Sequence, residues 1–276
     1  MRAGKAVLLA AGLGTRLVPF SKEIPKEMLP IPLREGDHTY PKPIIQVVYE
    51  QLYDAGVRNF CLVVGRGKRA IEDHFTPDWG FVEYLERNGK HVQAQALKKF
   101  YEKIESSFIA WVNQPIPKGT AHAVLMAKGF VGDDYFVAAA ADNVFVGENV
   151  FAAALEVHER FSKPVVTAKR VDDPKRYGIV VGEPLGGPLY RVREIIEKPE
   201  RPPSNLANAS LYILPPEIFR AIERTTTSKR GEIELPDAIK LLIDEGFEFI
   251  AYEAQAEWID VGSWESYTRA VMLMLK

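Results

Sequence analysis

The sequence predicts an α/β fold, a mainly parallel sheet flanked by helices with antiparallel hairpins added to it. Three observations carry that expectation. In the first half of the chain, short apolar runs alternate with helical patterns, as parallel βαβ units with right-handed crossovers require. The run Tyr135-Phe-Val-Ala-Ala-Ala-Ala141 is apolar without alternation, as a strand buried on both faces would be. Between about 171 and 214, strand patterns follow one another without long helices, which reads as hairpins joined to the main sheet.

In chain order, strand 6–10 runs into a glycine turn, and the proline-rich stretch 25–43 reads as loop, with 33–40 on the surface. Helix 44–55 and strand 60–64 form the next unit, followed by helix 69–75. The segment 80–104 is helical and partly apolar, and within it 91–104 is a helical candidate. Its Leu85 and Leu97, with the neighbouring Trp79, Phe81 and Tyr84, suit either an internal packing face or a subunit contact. Strand 108–112, helix 121–129, strand 135–141 and helix 150–161 complete the alternating part. Strands 165–171, 179–181, 192–197 and 207–214 then follow, with a loop at 199–203. Helices 216–224 and 235–245, strand 247–252 and helix 264–275 finish the chain.

The 276 residues suffice for one large α/β domain or two small ones. No convincing linker appears, so a single two-lobed domain over 1–276 is expected. Apolar residues make up 47% and charged residues 26%, ordinary for a globular protein. With 35 basic against 37 acidic residues there is no basic face for duplex nucleic acid, although a few focused cations could still hold an anionic substrate. The single cysteine, Cys61, lies in Phe60-Cys-Leu-Val-Val64 and reads as a buried small hydrophobe, which fits a reducing compartment. No stretch approaches the roughly 20 apolar residues of a membrane span, and the first apolar stretch is too short for a signal peptide. A cytoplasmic protein is expected, with neither nucleic acid nor membrane as partner.

The chemistry starts at Ala10-Ala-Gly-Leu-Gly-Thr-Arg16, where the first strand ends. Open α/β sheets bind ligands at the carboxyl ends of their strands. Gly12 and Gly14 would let backbone N–H groups approach phosphate oxygens, and Arg16 supplies a fork of donors. A plain tight turn explains the two glycines equally well. A dinucleotide fingerprint would want a third glycine where Leu17 stands, and a continuous helix that prolines 19, 25, 30 and 32 forbid. An NAD-dependent dehydrogenase is disfavoured on those grounds.

The glycine turn together with Pro25-Lys-Glu-Met-Leu-Pro30 resembles the signature of nucleoside-diphosphate-sugar pyrophosphorylases. Lys42-Pro-Ile-Ile-Gln46, Ile71-Glu-Asp-His-Phe75, Arg176-Tyr-Gly-Ile179, Glu197-Lys-Pro199, Ser204-Asn-Leu-Ala207 and Gly231-Glu-Ile-Glu-Leu-Pro-Asp-Ala-Ile239 are similar to the bacterial-type UTP–glucose-1-phosphate uridylyltransferases. The resemblance spans nearly the whole chain. It implies a Rossmann-like nucleotide-diphospho-sugar transferase fold, with a nucleotide-binding half to about 145 and a sugar-binding half from about 146. It also implies Mg2+ as cofactor, UTP or dTTP and a hexose 1-phosphate as partners, and a homo-oligomer.

On their own, Asp142 at the end of the buried strand and Asp260 before Gly262 could each be a turn or capping residue. The resemblance makes them joint metal ligands, with Asp142 also near the sugar. It puts Ala10, Ala11, Gly12, Gly14, Thr15 and Glu27 around the nucleotide, and Arg16, Lys26 and Lys198 on the reacting phosphates. The Gln114 amide offers a donor and an acceptor, which complements the imide edge of uracil or thymine. By resemblance Gln114 reads the base and Gly119 admits it; a solvated strand end is the plainer reading. His122 is left open between a structural histidine and a contact. Gly178 and Glu197 are assigned to the hexose; alone they read as a hairpin glycine and, with Lys198, an exposed ion pair whose side chains diverge along a strand.

Two segments depart from the resembled pattern. The family continues Ser204-Asn-Leu-Ala207 with two valines, a glycine and an arginine before the tyrosine, whereas this chain has Asn208-Ala-Ser-Leu211. Lys118-Gly-Thr-Ala-His replaces a more glycine-rich stretch. The implied reaction needs no general base, because a phosphate monoester is mostly dianionic at neutral pH. It needs two mutually repelling anions aligned and neutralised. A thymidylyltransferase and a non-catalytic sugar-nucleotide sensor are the remaining rivals.

Overall fold

The computed structural model describes residues 3–228 and 231–275. The strands are β1 (Lys5–Ala10), β2 (Pro30–Glu35), β3 (His38–Pro43), β4 (Asn59–Val64), β5 (Phe108–Asn113), β6 (Phe136–Ala140), β7 (Asn143–Val146), β8 (Val165–Arg170), β9 (Ile179–Gly186), β10 (Leu189–Ile196), β11 (Leu206–Leu214), β12 (Ile250–Glu253) and β13 (Glu257–Asp260). The helices are α1 (Ile44–Asp54), α2 (Arg69–His74), α3 (Trp79–Arg87), α4 (His91–Glu105), α5 (Thr120–Met126), α6 (Lys128–Val131), α7 (Val150–Phe161), α8 (Ile218–Arg224), α9 (Leu235–Asp244) and α10 (Trp264–Met274).

Nine strands form one mixed sheet in the order β5-β4-β1-β6-β11-β8-β12-β10-β9. β5, β4, β1 and β6 run parallel, the outcome of the βαβ alternation. β11 is antiparallel to both its neighbours, and β9 and β10 form the expected hairpin. Side chains of successive strand residues enter opposite apolar layers, as the two-residue strand period demands: Ala6 and Leu8 pack with α1, α4 and α7, while Val7 packs with α5, α8 and α9. Cys61 is wholly buried in that second layer, and burial pushes its thiol up to about 12, so it packs as a hydrophobe.

Several expectations need correction. Residues 30–43 are not loop; β2 and β3 pair as an antiparallel ribbon with a tight turn at Gly36. Its prolines are tolerated because an isolated two-stranded ribbon leaves each strand an edge where no N–H is required. The helix expected over 121–129 breaks at Ala127 into α5 and α6. Segment 80–104 is divided by the left-handed Gly89 into α3 and α4. Strand β12 starts three residues later than expected. A second ribbon, β7 with β13, escaped the pattern reading because each strand has only four residues.

Candidate active site

β1 delivers the chain to a turn in which Gly14 adopts left-handed φ 63, cheap only for glycine, and caps a single tight turn over Thr15–Leu17. The prolines then direct the chain into a further tight turn over Lys26–Met28, bringing Lys26 beneath the glycine turn. A Cβ on Gly12 would lie 3.7 Å from the Lys26 stem. The Lys26 ammonium forms a largely buried ion pair with Asp142. Burial opposes its charge, but Asp142, Glu27 and Asp260 outweigh that and hold its pKa above the ordinary lysine value. Glu27 is only 1% exposed and accepts a 2.8 Å bond from the buried Lys68, so its carboxylate is engaged by protein. Burial pushes the Glu27 carboxyl up even so, against the pull of Lys68 and Lys26.

Asp142 and Asp260 are brought together by the β7–β13 ribbon. Asp260 pairs opposite Asn143, and the Val261 N–H donates to the Asp142 carbonyl at 3.1 Å. Burial, then the neighbouring Asp142 charge, pushes the Asp260 carboxyl up. Gly262 follows, and the Arg16 guanidinium packs over it where a Cβ would otherwise sit.

At the far end of β5, the Gln114 N–H donates to Val64 at 2.7 Å, which fixes the backbone, and the side chain is buried. Gly119, with φ 106, has no room for a side chain: a Cβ would meet the Ile233 carbonyl oxygen at 2.5 Å and its nitrogen at 2.7 Å. On the opposite wall, Gly178 donates no side chain because a Cβ there would meet Glu197 Oε2 at 2.9 Å. The Asn208 N–H donates to the Gly178 carbonyl at 2.8 Å. Glu197 and Lys198 do not diverge. β10 ends at Ile196, Lys198 takes φ 41, and its ammonium returns to within 3.5 Å of Glu197 Oε1.

These pieces enclose one cleft of about 440 Å³. Ala11, Gly12, Gly14, Thr15, Lys26, Glu27, Gln114, Gly119, Asp142, Gly178, Glu197, Lys198 and Asp260 all line it. Ala10 does not; it is wholly buried in β1 behind the turn. Arg16 is exposed beside Gly262, outside the lining but close enough to act on Asp260.

The family described as nucleotidyl transferase matches residues 5–276. The chain belongs to the nucleotidyl transferase family. Its relatives within the family include a UTP–glucose-1-phosphate uridylyltransferase of Pseudomonas aeruginosa, 35% identical over 273 residues that cover 96% of this chain and 94% of the relative. That of Bacillus subtilis is 35% identical over 263 residues, 94% and 86% of the two chains. Among solved structures, a UDP-glucose pyrophosphorylase complexed with UDP-glucose matches with TM-score 0.87 and 31% identity, over 99% of this chain and 98% of that one.

This nucleotidyl transferase also brings residues to the cleft that no sequence pattern had assigned, Thr120, Asn143, Trp258 and Glu234 among them, while Asn208 and Tyr212 line it where the resemblance puts the hexose. Trp258 packs against Tyr177 with the rings tilted and their centroids 5.0 Å apart. Asn208 donates to the Tyr212 hydroxyl at 2.5 Å and accepts from the Ser210 N–H at 3.1 Å, holding Ser210 at φ 53 where β11 slips register against β8. The unusual segment 208–211 was the available signal for that wall. Nothing local marked Trp258, whose place depends on the β7–β13 pairing.

Proposed function

We propose that the protein transfers a uridylyl group from UTP to glucose 1-phosphate, releasing pyrophosphate. The observation that carries this reading is the convergence of Lys26, Asp142 and Asp260 in one cleft between the glycine turn and the Glu197–Lys198 wall. The likeness to the uridylyltransferases and to the UDP-glucose-bound pyrophosphorylase supports it.

A phosphate oxygen of glucose 1-phosphate attacks the α-phosphorus of UTP. A new P–O bond forms there, the bond to the β-phosphate bridging oxygen breaks, and pyrophosphate leaves with the electron pair. The attacking phosphate carries its own charge, so no side chain need remove a proton. Backbone N–H groups of Ala11, Gly12, Gly14 and Thr15 face the triphosphate, and Lys26 neutralises it and the departing pyrophosphate, with Arg16 adding charge from the rim beside Gly262. Lys198 holds the attacking phosphate, while Gly178, Glu197 and Asp142 take the hexose. Gln114 and Gly119 receive the base. Glu27 acts at one remove, by fixing the turn that carries Lys26.

Among the described residues no three His, Cys, Asp or Glu side chains cluster as a ready-made metal cage. One buried and one half-buried carboxylate, Asp142 and Asp260, in a cleft for phosphates nevertheless suit magnesium, which takes hard oxygen ligands and usually one or two carboxylates plus substrate phosphates. Asp142 and Asp260 would hold it, and when bound it would neutralise phosphoryl charge. The sequence resemblance implies a homo-oligomer, a cytoplasmic location stays the sequence-based expectation, and light scattering after size exclusion reads the assembly directly. No helix among the described residues is long and apolar enough to cross a membrane.

A panel of UTP, dTTP, CTP and GTP against several hexose 1-phosphates, scored by pyrophosphate release with and without chelator, tests the reading. UTP with glucose 1-phosphate and magnesium should give the fastest release, and chelator should stop it. Release with no pair in the panel overturns the proposal.

A further inference from the structure

Gln114 is held by more than its backbone. Its Nε2 lies 3.2 Å from the Gly119 carbonyl oxygen and 2.9 Å from His122 Nδ1. The first contact decides which way the amide points, because a carbonyl can only accept and the amide oxygen would be repelled there. The Gly119 carbonyl cannot turn away. It already accepts the Ala123 N–H at 3.2 Å in the first turn of α5, and that bond holds its direction. With one amide hydrogen on Gly119, the other points at His122, whose Nδ1 must therefore be an unprotonated acceptor with the proton on Nε2. Both amide hydrogens are then used. The amide oxygen takes no bond from a described residue and belongs to a side chain lining the cleft.

We propose that His122 is a positioning residue which locks the Gln114 amide with its oxygen toward the base, so that the cleft accepts the N3–H of uracil or thymine and rejects cytosine. The inference rests on the uridylyltransfer reading and deepens it. Cytosine presents a bare N3 acceptor, which would face the amide oxygen with no hydrogen between them. Uracil and thymine share the imide edge, so the lock separates them from cytosine without separating them from each other. His122 touches no substrate in this scheme; it acts only through Gln114.

The test is calorimetric binding of UTP, dTTP and CTP with magnesium to the intact wild-type protein, His122→Ala and His122→Asn, alongside steady-state turnover. In His122→Ala the UTP-over-CTP preference should fall about five-fold, the size of one neutral hydrogen bond. The loss should appear in KM for UTP, with kcat changing by less than about two-fold, and the UTP-to-dTTP ratio should stay put. His122→Asn places an acceptor oxygen near the position of Nδ1 and should restore the preference. An unchanged UTP-to-CTP ratio in His122→Ala, or an Asn variant no better than Ala, overturns the lock while leaving uridylyl transfer standing. Wild-type protein that binds none of the three nucleotides overturns both.

Discussion

At the end of the cleft nearest the glycine turn, side chains are fixed by buried charge pairs and hydrogen bonds: Lys26 with Asp142, Glu27 with Lys68, Gln114 with Gly119 and His122. At the end nearest Glu197, the backbone itself is bent. Lys198 and Ser210 both occupy the left-handed region that favours glycine, and β11 slips register between Asn208 and Tyr212. The first arrangement costs desolvation, visible in the raised Glu27 and Asp260 carboxyls; the second costs conformational strain. The difference teaches how one cleft can hold a constant task beside a variable one. Charge pairs preorganise the donors that two repelling phosphates require, whereas a strained strand can be re-aimed by changing a few residues of one segment.

The largest expected effect is at the charged end. Removing one preorganised donor with Lys26→Ala should cut kcat about 100- to 1,000-fold while far-UV circular dichroism stays native. Near-normal turnover would remove the charged end from the chemistry. Next, Glu27→Ala strands Lys68, which is 7% exposed, and should destabilise the fold by about 3–5 kcal/mol in urea unfolding. A loss as small as that of a surface substitution would mean the pair is not what fixes the turn.

Behind α1, His74 faces Gln46 at 3.0 Å and stacks on Phe100 with centroids 5.0 Å apart, and burial pushes its pKa down to about 4. Because the unfolded state takes up this proton first, its contribution is present above about pH 6.5 and is lost as pH falls toward 4. The loss should approach about 3 kcal/mol, read as the difference between wild type and His74→Gln in urea melts at pH 7 and pH 4.5. Parallel pH dependence in the two proteins would contradict it. The smallest effect tests the strained end. Ser210→Gly relieves the left-handed cost and should stabilise the fold by about 1 kcal/mol net of glycine's entropy. A destabilised variant would place the strain elsewhere, and the comparison between the two ends would need redrawing.

The parallel strands and their helices were legible because both periods are local: a doubly buried strand such as β6 is apolar throughout, and helix α7 falls where its pattern put it. The glycine turn, Lys26 and the two aspartates were legible as residues through family resemblance. Their mutual placement was not, since Asp142 and Asp260 meet through a four-residue ribbon whose halves lie more than a hundred residues apart. The ribbon at 30–43 was misread because its prolines signal loop unless it is known that no third strand pairs there.

By itself, then, the sequence determined the alternating half, the turn at Gly14 and which side chains carry charge, because neighbouring residues settle backbone period and turn chemistry. The tertiary structure decided which charges are paired, which way the Gln114 amide points, and that Glu197 and Lys198 turn toward each other. Those depend on burial and on partners distant in the chain, such as Lys68 for Glu27 and Ile233 for Gly119, and no local pattern encodes a partner that only folding brings near.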